Sequence, residues 1–352
     1  MRYINGRFLT RTVTGVERFA GELLRVLNDR VPDPENYVVL APSGTIRPDW
    51  LDRLPFRAVG LGKGHLWEQT ALFRESRDGM LVNLCNSGPL LHRRSLVVVH
   101  DAWVYRHPDH FSRPYRMFHQ RLGRLLSTRS RLATVSRFSR GELADVLDIA
   151  PESIAVIPNA ADHLARIKPD DSVRERLGCV TAPYMLLVGS FAPNKNMPRA
   201  IRAFASVARP EEKLVVVGAP VGSFANDDLS RLPAHVLIAG RIADAELVAL
   251  YRHATALIFP SLYEGFGIPP LEAMHFGVPV LASGIAVVRE VCGDAAAYFD
   301  ATDERAIAMA IRETLDDPSA LATLSARARD RSACFNWSAS LAALLAVIEQ
   351  IE

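Results

Sequence analysis

Ten short apolar runs, separated by longer amphipathic stretches, leave this chain few folds to choose from. In the first half they are YVVL at 37–40, MLVNL at 80–84, SLVVV at 95–99, RLATV at 131–135 and IAVI at 154–157. In the second they are YMLLV at 184–188, KLVVV at 213–217, HVLIA at 235–239, ALIF at 256–259 and VPVL at 278–281. Continuous apolar runs of this length suit strands covered on both faces, as in a parallel sheet flanked by helices. Between them, Val16, Phe19, Ala20, Leu23, Leu24 and Leu27 recur at one-face spacing and predict a helix over 15–30. A second helix is expected after Asp244, read as its N-cap, through Leu247, Val248, Leu250 and Tyr251. The alternation predicts an α/β protein of two parallel-sheet units, and 352 residues allow each its own core. The break falls in PNAADHLARIKPDDSVRERLG, 158–178, where apolar runs lapse and charge and proline rise.

Composition narrows the class. Hydrophobic residues make up 49% and charged residues 23%, the balance of an ordinary globular protein. No apolar run approaches the ~18–20 residues of a membrane span, and MRYINGRFLT lacks the apolar core of a signal peptide. The four cysteines, Cys85, Cys179, Cys292 and Cys334, form no CxxC pair and read as reduced, buried residues of a cytoplasmic protein. No GxGxxG opens a helix after a strand, which disfavours a nicotinamide dehydrogenase.

The informative stretch is YEGFGIPPLEAM, 263–274, which places Glu264 and Glu272 eight positions apart around a glycine-rich turn. It follows the strand ALIF and precedes a helix, so it lies at the carboxyl edge of a sheet, where open α/β folds bind ligands. Gly265 and Gly267 allow positive φ and close backbone approach, and Pro269 and Pro270 suit a first helical turn that needs no amide donors. Free amides and a positive helix end attract a phosphate. Two carboxylates beside an anion site make sense only if sugars are present, because each accepts a pair of adjacent hydroxyls. A nucleotide sugar offers such pairs at both ends. An isolated E-x7-E arises readily by chance. The full EGFGIPPLEA after an apolar strand, followed by GVPVLAS, is far more specific.

With these residues in view, the chain resembles the retaining glycosyltransferases of the GT4 family, including bacterial mannosyl- and rhamnosyltransferases of surface polysaccharide synthesis. TGVERF at 14–19, GHLWEQ at 64–69, CNSGPLL at 85–91, VVVHD at 97–101, TVSRFSRGEL at 134–143 and VIPNAAD at 156–162 carry the first half of the resemblance. VGSFAPNKN at 188–196, AGRIADAEL at 239–247, the E-x7-E segment and FNWS at 335–338 carry the second. The resemblance implies a GT-B fold, two Rossmann-like domains facing a central cleft. They would span 1–165 on the acceptor side and 166–337 on the nucleotide-sugar side, with 338–352 a helix packing back on the first. It also implies roles. Glu264 would hold hydroxyls of the donor sugar, the amides of Phe266, Gly267 and Ile268 the diphosphate, and Glu272 the ribose. Lys195, in the NKN turn, would neutralise the leaving phosphates. Ser190 stands where relatives often carry arginine, and Asn194 where they carry the first member of an Arg-Lys pair. The phosphate here is therefore met by fewer cations. Gly15 would approach the diphosphate from the first domain, and the Arg241–Ile242 backbone the base. His100 would sit near donor sugar and acceptor, with Asp101 either orienting it or capping the next turn. His65 and Trp67 read as structural or acceptor-side.

The expected activity is hexose transfer from a nucleotide diphosphate sugar to a saccharide or lipid-linked saccharide hydroxyl, with retention. GDP-mannose is the first donor suggested by the resemblance and dTDP-rhamnose the second. Front-face attack and a covalent intermediate both remain open. No DxD triplet and no HExxH occur, so no metal and no cofactor are expected. A sugar-nucleotide epimerase of the same fold would not need E-x7-E with an acceptor cleft. A catalytically silent binding partner would lack Glu264, His100 or Lys195, and all three are present. Residues 110–141 carry eight arginines and no Asp or Glu; taking their +8 from the chain's +2 leaves −6 elsewhere. Tyr115, Phe118, Leu122 and Leu125 are expected to share one helical face there. The basic segment predicts either a solvated surface or a peripheral contact with anionic lipid on the inner face of the membrane. No nucleic-acid partner is expected.

Overall fold

The computed structural model describes residues 1–218 and 232–351. They form two compact units, one of Met1–Asn159 with Asn336–Glu352, the other of Ala160–Phe335. The first junction precedes the expected 165, and the turn Asp162–Arg166 belongs to the second unit, where the Asp162 carboxylate acts on His275.

The first unit has seven strands: β1 (Arg2–Asn5), β2 (Tyr37–Pro42), β3 (Phe56–Val59), β4 (Met80–Asn83), β5 (Ser95–Val98), β6 (Arg131–Thr134) and β7 (Ile154–Val156). Their order is β3-β2-β1-β4-β5-β6-β7, and every pairing is parallel. The second unit has β8 (Tyr184–Val188), β9 (Lys213–Val217), β10 (Val236–Gly240), β11 (Ala256–Phe259), β12 (Val280–Ser283) and β13 (Ala296–Phe299). Its order, β10-β9-β8-β11-β12-β13, is again wholly parallel. In both sheets the first strand is central and winding reverses beside it, between β1 and β4 and between β8 and β11. Those reversals are the crevices where doubly wound sheets take ligands.

All ten expected strands are present. Three more are not evident in the apolar pattern: β1, whose Arg2 and Asn5 flank only two apolar residues; β3, a half-exposed edge; and β13, rich in alanine. β1 is nonetheless the centre of its sheet, with Ile4 opposite both Val39 and Val82. Leu40, Trp67, Leu72 and Leu81 pack in one buried cluster of the first unit, and Val97, Leu122, Leu126, Leu132 and Leu143 in another. In the second unit the helix Met197–Val207 buries Ile201 and Phe204 with Leu187, Val216 and Ile258.

Several local expectations are corrected. Asp244 is the first residue of the helix Asp244–His253, not its N-cap; Ala243 caps, and its amide donates to the Glu246 carboxylate at 2.9 Å. Cys334 is exposed and Cys85 half-buried, while Cys179 and Cys292 are buried. In the helix Arg113–Ser127 the buried pair is Leu122 and Leu126, whereas Tyr115, Phe118 and Leu125 are 45–48% exposed. The helix therefore packs through a face rotated from the expected one. Residues 318–349 contain a window apolar enough for a membrane span. They form two helices, Pro318–Ser332 and Trp337–Glu349, of 15 and 13 residues in different units. Neither reaches the ~20 residues a span requires. The closing helix is capped by Asn336, sets Trp337 edge-on to Phe19 at 6.0 Å, and donates from Ser340 Oγ to the Pro158 carbonyl at 2.7 Å.

Candidate functional site

In the second sheet, the loops after β8 and β11 meet at the winding reversal. Strand β8 runs straight into Gly189, and Gly218 passes so close that a Cβ on Gly218 would lie 1.8 Å from the Gly189 carbonyl oxygen. The Gly218 φ of +139° adds a second reason for glycine. Beyond Gly189, Ser190 is exposed and the turn Pro193–Lys195 is stitched to the β11 loop. Leu262 N donates to the Asn194 carbonyl at 2.7 Å, and Asn194 Nδ2 donates to the Tyr263 carbonyl at 3.0 Å. That stitching brings Lys195 Nζ to Glu264 Oε1 at 2.6 Å, with side chains 24% and 11% exposed.

The loop continues through Gly265 to Phe266, which packs edge-on to Phe335 at 5.7 Å. Gly267, at φ +112°, caps the helix Ile268–His275, whose first turn holds Pro269 and Pro270. The turn conformation requires glycine here, since a Cβ would meet nothing closer than 3.9 Å. The amides of Phe266 and Gly267, and that of Ile268 at the first position of the helix, make no hydrogen bond among the described residues. One turn on, Glu272 is 6% exposed, and Tyr251 Oη donates to its Oε2 at 3.0 Å. Glu264 thus meets a cation, and a phenol is among the donors to Glu272.

The structure brings Ser190, Asn194, Lys195, Glu264, Gly265, Phe266, Gly267, Ile268 and Glu272 to one crevice. Arg241 and Ile242 follow β10, two strand spacings or roughly 10 Å from β8. Gly15 and His100 belong to the first unit. Gly15 opens the helix Gly15–Arg30 behind the N-cap Thr14, whose hydroxyl and amide both bond the Glu17 carboxylate. His100 is 6% exposed, edge-on to Phe19 at 4.9 Å, with Nε2 at 2.9 Å from the Leu84 carbonyl. A carbonyl only accepts, so Nε2 carries the proton. Burial holds its pKa down to about 4, the Leu84 bond offsetting only part, and the ring is neutral near pH 7. Asp101 Oδ1 accepts from Trp103 N at 2.9 Å, the turn-capping alternative.

Two features were not singled out in the sequence. Asn196, at φ +53° and 8% exposed, donates from Nδ2 to the carbonyls of Pro260 at 3.1 Å and Ala301 at 2.8 Å, tying three loops together. Its signal was an asparagine closing a turn before a helix, a residue that tolerates left-handed backbone. The other is a buried network at the first sheet's crevice. Glu68, fully buried at the start of a π-turn spanning 68–72, accepts from Asn5 Nδ2, Arg7 Nη1 and Ser87 Oγ at 2.9 Å and meets His65 Nδ1 at 3.0 Å. Burial alone would raise its pKa, but His65, Arg7 and Asn5 together hold the carboxyl below its ordinary range. Among the described residues no three His, Cys, Asp or Glu side chains converge as metal ligands would.

Residues 171–331 match the family model described as glycosyl transferases group 1. The chain is 28% identical over 263 residues to O-antigen chain mannosyltransferase B of Escherichia coli, covering 70% of this chain and 68% of that protein. It is 32% identical over 224 residues to D-inositol 3-phosphate glycosyltransferase of Thermobispora bispora, covering 58% of this chain and only 52% of that relative. Anabaena Alr3699/HepE, solved in complex with UDP and glucose, superposes at TM-score 0.78 over 99% of this chain and 98% of its own, at 18% identity. Residues 171–331 thus carry a glycosyl transferases group 1 region, the whole chain shares the GT-B fold of its solved neighbours, and its sequence is similar to mannosyltransferases of surface polysaccharide synthesis.

Proposed function

We propose that the β8–β11 crevice binds a nucleotide diphosphate sugar and that the enzyme transfers its hexose to a saccharide hydroxyl with retention and without a metal. The observation that carries this reading is the Lys195–Glu264 pair beside the amides of Phe266, Gly267 and Ile268. A diphosphate on those amides draws Lys195 to its oxygens, and sugar hydroxyls replace the lysine at Glu264. Negative charge grows on the leaving diphosphate, so amides, helix end and Lys195 supply the stabilisation. The bond between the anomeric carbon and the phosphate oxygen breaks as that carbon bonds the acceptor oxygen. The acceptor's proton passes to the leaving phosphate. Neutral His100 keeps its Nε2–H on the Leu84 carbonyl, so it can meet substrate only as an acceptor through Nδ1. The Escherichia coli relative's name favours a mannosyl donor, and the UDP bound to the Anabaena neighbour fits a nucleotide at this crevice.

Glu264→Ala should abolish transfer and leave binding of the free nucleotide diphosphate nearly intact. Glu272→Ala should weaken the nucleotide itself by about 1.5–3 kcal/mol, the range for a charge-assisted hydrogen bond. Calorimetric titration of both variants decides it, since equal losses would remove the division between sugar and ribose.

The acceptor is read as a lipid-linked saccharide presented at an anionic membrane surface. Tyr115, Met117, Phe118 and Leu125 are exposed beside Arg113, Arg116, Arg121 and Arg124, which make no ion pair among the described residues. Each arginine near such a surface adds roughly 1 kcal/mol, screened by salt. The wild type should sediment with anionic but not neutral vesicles at low salt. Arg116, Arg121 and Arg124 replaced together by glutamine should abolish that.

A further inference from the structure

The carboxyl edge of the second sheet holds more than the β8–β11 crevice. Beside it, the loops after β11, β12 and β13 border a cavity of 650 Å³, with Leu262, Ser283, Ile285, Arg289, Asp300 and Thr302 in its wall. That volume falls among small-molecule sites, about 300–1,000 Å³. One cation and one anion leave the wall without net charge, which favours neither a phosphate nor a cationic ligand.

Both charged groups are held in place with atoms to spare. The Arg289 guanidinium lies 4.2 Å over the Tyr298 ring, and its Nε donates to the Gly284 carbonyl at 3.0 Å. Gly284 admits this approach, because a Cβ there would stand 3.0 Å from Arg289 Nη2. The two terminal nitrogens make no hydrogen bond or ion pair among the described residues. Asp300, just past β13, accepts at Oδ1 from Thr302 N at 2.8 Å and from Thr302 Oγ1 at 2.6 Å. Those bonds, the hydroxyl's first, hold its carboxyl below the ordinary range, so it is ionised at neutral pH. Its Oδ2 has no partner among the described residues. Ser283 adds a buried hydroxyl that is likewise without a partner among them, so no hydrogen bond keeps it from turning to a ligand.

A fixed fork of donors, a fixed carboxylate and the apolar side chains of Leu262 and Ile285 suit a sugar ring. Its neighbouring hydroxyls present donors and acceptors at the spacing such planar groups match, and its C–H face suits the apolar wall. Strand order says which sugar. Along β10-β9-β8-β11-β12-β13, Arg241 and Ile242 follow β10, the Lys195–Glu264 pair follows β8 and β11, and the cavity comes next. It thus lies past the sugar end of the proposed donor site, on the side away from the base. Its wall is tied to the turn that carries Lys195. Leu262 N donates to the Asn194 carbonyl at 2.7 Å, and the Ala301 carbonyl accepts from Asn196 Nδ2 at 2.8 Å.

We propose that this cavity is a subsite for the acceptor, taken as a neutral saccharide whose hydroxyls are held by Arg289 and Asp300. The inference rests on the proposed donor site at Lys195 and Glu264 and adds the second substrate to it.

The test is saturation-transfer NMR of the whole chain with methyl α-mannoside, methyl α-rhamnoside, methyl α-glucoside and mannobiose, each with and without saturating GDP, UDP or dTDP. Wild type should bind at least one of these saccharides while a nucleotide is bound. Arg289→Met and Asp300→Asn should each weaken that saccharide about tenfold, one charge-assisted hydrogen bond's worth, with nucleotide affinity within about twofold of wild type. Asparagine keeps an oxygen for Thr302, and retained nucleotide affinity reports an intact fold in both variants. No saccharide bound at about 50 mM, or binding that either variant leaves unchanged, overturns the proposal. Equal loss of saccharide and nucleotide would mean the two residues only hold the fold, and overturns it as well. So does displacement of the saccharide by the nucleotide, since donor and acceptor must be held together. Glu264→Ala separates the neighbouring site: it should leave the saccharide bound, and loss there would put the sugar in the donor crevice instead. If wild type binds none of the three nucleotides, the donor reading fails and this inference with it. A bound nucleotide with any of the other negative results removes the acceptor subsite alone.

Discussion

The two sheets share one winding order and place their crevices at equivalent strand ends, yet they fill those crevices in opposite ways. In the first, Glu68 is saturated by Asn5, Arg7, His65 and Ser87, and both ions of the Arg7–Glu68 pair lie almost wholly out of water. In the second, Lys195 and Glu264 face each other at a half-open turn, and the neighbouring amides of Phe266, Gly267 and Ile268 make no hydrogen bond among the described residues. A buried ion network with every group satisfied holds a backbone in place, and removing one member strands the others. A crevice with spare donors and one exchangeable ion pair gives up stability to keep partners available for a ligand. Topology selects the place on each sheet, and local polar bookkeeping determines whether it is closed or receptive.

Breaking the closed network should give the largest effect. Glu68→Ala leaves the Arg7 guanidinium buried without its carboxylate and should cost about 3–5 kcal/mol of unfolding free energy by denaturant titration. A cost below 1 kcal/mol would mean the network is not closed as described. His100 offers the next test. Its folded pKa, about 4, lies below the ordinary 6.5, so the unfolded chain takes up the proton first as pH falls. Its contribution is flat above pH 6.5 and is lost progressively between 6.5 and 4. From pH 7.5 to 5 that amounts to about 2 kcal/mol of stability. His100→Gln should remove that part of the pH dependence; an unchanged slope would show that another group carries it. The smallest stability effect belongs to the open site. Lys195→Met should alter unfolding free energy by about 1 kcal/mol or less, as expected for a partly exposed pair. The same variant should bind a nucleotide diphosphate roughly tenfold more weakly. A stability loss as large as that of Glu68→Ala would erase the contrast between the two crevices.

The apolar runs and the E-x7-E segment made much of this legible without coordinates. Strands covered on both faces carry their signature in consecutive residues, and so does a glycine turn running into prolines at a helix start. The ten strands, the helix over 15–30 and the turn around Gly267 all depend on local sequence, which is why they could be read there. Strand β1 could not, because four residues ending in Arg2 and Asn5 resemble an edge, and only its neighbours β2 and β4 make it central. Nor could the exposed face of Arg113–Ser127, since helical spacing groups Tyr115 with Leu122 but does not say which side meets the sheet.

Polar partnerships were the least legible. Glu68 and Asn5 are 63 positions apart, Lys195 and Glu264 69, and Tyr251 and Glu272 21. Sequence by itself determined the two α/β units, the position of the glycine-rich turn at a strand end, and the residue types there that suit a phosphate flanked by sugars. It did so because backbone preference and hydrophobic period act over a few neighbouring residues. Tertiary structure alone decided that His100 is buried and neutral, that Lys195 closes on Glu264, and that the Tyr251 hydroxyl donates to Glu272. A hydrogen bond acts over about 3 Å, and only the packed chain brings such distant residues that close.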